Sequence, residues 1–433
     1  MRSSTSTLVI FIIITVAACS VPATRSLSTI PASSDDPSYI MVGGQNGTWF
    51  KPEQAPRLEK IELSNYSVTP LTPAPTEGTV WGGGWNGSQW LISGWGEDLG
   101  PNGSNPYIFL YNGQNQVAGG SLNQYTAETT WHGGDIFAAS ADRNEWLLSG
   151  LGSGNLTSYG EINHMSLSLF NGSDFSDLSS SVPGQRDAIL YANAWNGEYW
   201  LVGGGYRDYG TLFTFDGKKI VDLTSTIAQA VSSFGSVQSL AWNGYYWLIG
   251  GEDFLAKYDG QRFTDLTPEL NTILVQRDVC CSSVNAIVWD AIEGEWVLGG
   301  GTPIAETDYS NAWLVEYAAG TFTDLTSQIS ARAADFVPDS SILSIAVAGG
   351  SWILGGYSDG RGWLYEYSAG LFTNLSYLVS SYTYVNWVGA YSFQRHIPTF
   401  ARPSGVDSGE STLFLLSSGS SSLETSRPRN VLF

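Results

Sequence analysis

Three segments of the chain place an aromatic residue directly behind a glycine and a carboxylate shortly after it: Trp95 with Asp98, Tyr206 with Asp208, and Tyr357 with Asp359. Flat aromatic faces beside carboxylates are suited to sugars, the ring stacking on the sugar face and the carboxylate accepting from hydroxyls. The same residue types also serve in ordinary loop packing. Two further segments repeat as Gln185-Arg186-Asp187 and Gln276-Arg277-Asp278, in which the guanidinium either takes an anionic group or pairs with a nearby Asp. Fixed chemistry is harder to find. The histidines are His132, His164 and His396, and no Ser/His/Asp set in a recognisable context and no zinc-ligand spacing accompanies them. No catalytic residue, metal or cofactor is therefore expected, although scattered loop carboxylates and tyrosines leave room for a lyase or hydrolase.

Composition says what must position these residues. Aromatics make up 13% of the 433 residues, glycine contributes 50 and charged residues only 14%, a balance that suits many short strands joined by glycine turns. The formal charge of −21 reflects 19 basic residues against 40 acidic ones, so clustered base for phosphate neutralisation is lacking and nucleic acid is not an expected partner. Arg2 precedes the apolar run Leu8 to Val16, too short to span a bilayer comfortably, and small residues follow it at Val16-Ala17-Ala18-Cys19. That pattern is an export signal, and it places the mature chain outside the cytoplasm.

A repeat sets the architecture. Trp195-Asn-Gly-Glu-Tyr-Trp200-Leu-Val-Gly-Gly204 and Trp242-Asn-Gly-Tyr-Tyr-Trp247-Leu-Ile-Gly-Gly251 are nearly identical, and drifted copies end at Gly44, Gly94, Gly150, Gly300 and Gly356. A period near 50 residues signals propeller blades. A second element follows each glycine pair, as in Tyr258 with Phe263-Thr-Asp265-Leu266-Thr267 and Tyr317 with Phe322-Thr-Asp324-Leu325-Thr326; after Tyr111 most of it is lost. Each copy reads as four strands. A type I′ turn at Asn243-Gly244 would set Trp242 against Tyr245 and Leu240 against Trp247, all on a face buried against the next blade. The glycine pairs are expected to supply positive φ and close backbone approach, and the recurrent Asp to hold a nearby backbone N–H. The first copy starts at Tyr39 without an inner strand before it, so Val385 to Tyr391 is expected to pair beside Ile40 to Gly43 and close the ring.

The predicted fold is all-β: a seven-bladed β-propeller of four-stranded antiparallel blades over residues 38–395, closed by a C-terminal strand. A signal peptide at 1–18, a linker at 19–37 and a partly Ser-rich extension at 396–433 flank it. The repeat, with apolar residues running into Gly-Gly and two aromatics ahead of an outer strand ending in Leu, resembles kelch; Phe mostly stands where kelch carries Trp. Propellers host many unrelated activities, so the resemblance implies fold and little about function. Galactose oxidase, a kelch-like relative, implies a copper site of two Tyr and two His, one Tyr crosslinked to Cys, and no such set can be assigned here. Residues 16–19 resemble the lipobox of prokaryotic lipoproteins, which implies lipidation of Cys19; the alternative is an ordinary secretory signal with an incidental cysteine.

Cys280 and Cys281 are then the remaining cysteines, as a vicinal disulfide or as two free thiols. Asn46, Asn65, Asn86, Asn102, Asn155, Asn171 and Asn374 head Asn-x-Ser/Thr sequons, open to glycosylation or serving as hairpin turns. The loops between second and third strands, with those joining blades, should open on one face around the channel. The expected function is that of a monomeric, lipid-anchored surface protein whose loop face binds a glycan or an extracellular protein through Trp95, Asp98, Arg186, Tyr206, Asp208, Arg277, Tyr357 and Asp359. A carbohydrate-active enzyme on that face is the alternative.

Overall fold

The computed structural model describes residues 39–47, 55–71, 78–96, 105–114, 116–117, 134–142, 144–153, 163–184, 188–206, 209–274, 283–301, 312–330 and 340–390. They form seven four-stranded antiparallel sheets, the blades of a β-propeller. Blade 4 shows the pattern, running outward from the axis through Ile189–Trp195, Trp200–Tyr206, Tyr209–Phe215 and Ile220–Asp222. In blade 2 the outermost strand shrinks to Gln116–Val117, where the second repeat element is worn away. The innermost strand of blade 1 comes from the other end of the chain: Tyr384–Ala390 pairs with Tyr39–Asn46 in the register Ile40 to Ala390 and Val42 to Val388. Closure by the C-terminal strand is thus as expected, and it leaves no inner sheet edge open on blade 1.

Each interface between blades holds one hydrophobic cluster, so the core is a ring of seven contacts instead of one centre. Trp146, Trp200 and Trp247, which open their second strands, and Trp296, second in its own, are fully buried in it. Trp247 packs on Leu201 and Tyr199 of blade 4, the preceding blade and not the next. Its indole N–H donates to the Tyr199 hydroxyl at 3.3 Å, as Trp296 donates to Tyr246 at 2.8 Å. The tyrosine before the second tryptophan of the repeat is therefore an inter-blade acceptor.

The hairpin differs from the expected one. Trp242 faces Trp247, and Leu240 faces Ile249, two positions away from the expected register. Positive φ falls on Gly244 (96°) and not on Asn243, so this is no type I′ turn. The Asn243 side chain instead accepts from the N–H groups of Tyr245 and Tyr246, both at 2.9 Å. A slip of two residues preserves strand faces, which is why Trp247 is buried although its partner changes. The glycine pairs do not take positive φ either. The second glycine is needed for close approach: a Cβ on Gly204 would run into the carbonyl oxygen of Ile189, and one on Gly356 into that of Ser341. The recurrent Asp behaves as expected, with Asp265 accepting from Thr267 N–H at 2.9 Å and Asp324 from Thr326 N–H at 2.8 Å. The Thr267 hydroxyl then accepts from Leu255 N–H at 3.1 Å, tying the outer strand's exit to the third strand.

Candidate binding site at the channel mouth

Antiparallel pairing sets the start of each innermost strand beside the end of the second, as Ile189 beside Gly205 and Ser283 beside Gly301. One end of the ring therefore gathers the blade-joining loops and the loops between second and third strands. Just inside this mouth the ladder of every blade slips by one residue, leaving an extra residue on the innermost strand: Asn386, Trp81, Phe137, Tyr191, Gln238, Asn285 and Leu343 in blades 1 to 7. A bulge lifts its extra residue out of the ladder and re-aims the side chain. On three successive blades that residue is aromatic. The Trp81 and Phe137 ring centroids lie 5.3 Å apart, and Phe137 meets Tyr191 edge-on at 5.3 Å, forming one arc across blades 2 to 4.

Carboxylates adjoin the arc. Asp135 lies two residues before Phe137 on the same strand, Gly134–Ala141, and has neither a hydrogen-bond nor an ion-pair partner among the described residues. Burial pushes its carboxyl up to about 7. Burial, with the charges of Glu252 and then Asp135, pushes the Tyr191 hydroxyl up to about 12, which places both carboxylates near that ring. Asp253 follows Glu252 in a left-handed turn (φ 60°), and burial raises its carboxyl as well. The chemistry on offer is an aromatic surface with acceptors at its edge.

The loop aromatics stand in three different settings. Trp95 is half-buried opposite Thr79. Tyr206 is 39% exposed, opposite Tyr209 at the hairpin tip. Tyr357 is only 8% exposed and packs on Tyr384 with centroids 4.8 Å apart. Asp359 is exposed in the tight turn between Ser358 and Arg361, with φ 46°. Asp98, Arg186, Asp208, Arg277, Cys19, Cys280, Cys281, Asn102 and Asn155 lie outside the described residues, as do His132 and His396. His164 is half-buried within blade 3, opposite Gly152. Asn86 and Asn171 cap their hairpins, each accepting from the N–H groups two and three residues on. Asn65 and Asn374 likewise accept from Ser67 and Ser376 N–H, and Asn46 ends its strand. Among the described residues no three His, Cys, Asp or Glu side chains gather as a metal ion would require.

Sequence reasoning passed over Asp135, Trp81, Phe137, Tyr191 and Asn386. A signal was present: in blades 2 to 5 the bulged residue stands four places before the residue that faces the opening tryptophan of the second strand.

No family model matches the chain, and no curated protein matches it. Solved structures do. A Lactobacillus plantarum protein aligns with a TM-score of 0.48 at 13% identity, over 82% of this chain and 100% of its own. The β-propeller domain of the Trilobed protease from Pyrococcus furiosus gives 0.41 at 11% identity, over 77% and 94%. The acylaminoacyl peptidase of Pyrococcus horikoshii gives 0.45 at 10%, over 78% of this chain and 50% of its own. These likenesses concern fold and carry nothing about activity.

Proposed function

We propose that this propeller is a noncatalytic, extracytoplasmic binding protein of kelch type, held at a membrane surface by a lipidated Cys19, that takes a glycan at its channel mouth. The observation that carries the proposal is the arc of Trp81, Phe137 and Tyr191, three rings in series with carboxylates at their edge. Rings of this kind stack on sugar faces, and acceptors beside them fix hydroxyls. The loop residues Trp95 and Tyr206 extend the surface outward at the same end of the ring.

Binding to immobilised glycans, compared between the wild type and Phe137→Ala, tests this. The expected result is retention of one glycan class by the wild type and a loss of about tenfold or more in the variant, the scale of a well-packed contact. Retention that survives Phe137→Ala unchanged contradicts it.

Asp135 favours a second reading, an enzyme acting on carbohydrate. A carboxyl pushed up to about 7 holds a proton near neutrality, as a general acid must. Release of shortened glycans by the wild type and not by Asp135→Asn would decide for it.

A further inference from the structure

The bulged residues divide the rim of the channel into two arcs. Asn386, Trp81, Phe137 and Tyr191 come from blades 1 to 4 in succession, and Gln238, Asn285 and Leu343 from blades 5 to 7. At one end of the first arc the Asn386 amide donates to the Val80 carbonyl at 3.3 Å, next to Trp81. Its Oδ1 is sealed in, only 8% of the residue being exposed, and meets no hydrogen-bond donor among the described residues, so it closes off that end of the arc. Toward the other end Asp135, two residues before Phe137 and close enough to Tyr191 to act on its hydroxyl, has no hydrogen-bond or ion-pair partner among the described residues. Between them lie aromatic faces, which carry the negative lobe of the ring quadrupole.

The carboxylate and the ring faces ask for positive charge or a donor. A sugar hydroxyl offers the carboxylate a donor but no charge, whereas an ammonium group answers carboxylate and ring faces together. The net charge of −21 favours the approach of cations to the protein as a whole. We infer that the Trp81–Phe137–Tyr191 arc with Asp135 seats an ammonium group, and, resting on the glycan proposal, that the ligand is an amine-bearing saccharide.

Calorimetric titration of the full-length protein with glucosamine, N-acetylglucosamine, glucose and tetramethylammonium tests the inference. Glucosamine should bind about tenfold more tightly than either neutral sugar, and tetramethylammonium should compete with it. In Asp135→Asn, shown to be folded by its melting transition, the preference for glucosamine should collapse toward one. Sugars bound without regard to charge, or a preference that survives Asp135→Asn, overturn the ammonium seat and leave the glycan proposal standing. Tetramethylammonium bound with no sugar bound supports the seat and overturns the saccharide. No binding by any of the four overturns both.

Discussion

The carbonyl oxygen of Ile189 occupies the space in which a side chain on Gly204 would begin. The cause is the bulge at Tyr191, which swings the innermost strand across the end of the second and repeats in every blade. Gly94 and Gly150 meet the carbonyls of Thr79 and Asp135 in the same way. This explains why the second glycine persists where the first has become Ser93 or Ser149. The glycine and the bulged aromatic are two sides of one device.

Gly204→Ala should therefore destabilise the protein by about 1–3 kcal/mol, the cost of overpacking against backbone that cannot rotate away. Denaturant unfolding checks it. A change below about 0.5 kcal/mol, the usual range for neutral surface substitutions, would mean that the bulge yields freely.

Trp247 has no exposed surface and ties blade 5 to blade 4, so Trp247→Ala should cost about 3–5 kcal/mol. Gly244→Val, at a φ of 96°, should cost about 1–3 kcal/mol through backbone strain alone. Neither residue is near the channel mouth, and glycan affinity should be unchanged in whatever fraction stays folded. Thermal melts beside binding titrations separate the two effects; lost affinity at an unchanged melting temperature would move the binding site onto the tryptophans.

Asp135 makes stability depend on pH. Its carboxyl stands at about 7 in the folded protein, against about 4 in an unfolded chain. Between those values the native state binds more proton than the unfolded one, so the group's contribution falls as pH rises through the window and is flat above it. Asp135→Asn removes that fall. The variant should gain about 2 kcal/mol on the wild type between pH 4 and pH 8, a figure reduced for the water that reaches a half-buried group. Unfolding curves at the two pH values measure the difference, and a constant gap would mean that Asp135 ionises as freely as a surface carboxylate.

The repeat made the blades legible because hydrophobic and glycine positions recur at fixed spacing, and the missing strand before Tyr39 was enough to assign Val385 to Tyr391 to blade 1. Local geometry was less legible. Asn243 reads as a positive-φ turn residue, but its side chain caps the turn and spares the backbone, a choice that composition does not reveal. The arc was missed because Trp81, Phe137, Tyr191 and Asn386 share a position and not a residue type. A bulge is set by backbone register, and the side chain it presents is free to vary from blade to blade. Tyr357 has the sequence context of a loop aromatic, yet Tyr384 of the closing strand covers it, a contact between neighbouring blades.

Hydrogen exchange with and without a glucosamine oligomer tests the central claim most directly, because it reports where on the ring a ligand sits. Slowed exchange confined to residues 78–84, 134–140 and 188–193, with the outer strands Ile220–Asp222 and Phe263–Asp265 unchanged, is the predicted result. Protection on the outer strands, with the innermost segments exchanging as in the free protein, would contradict a binding site at the channel mouth.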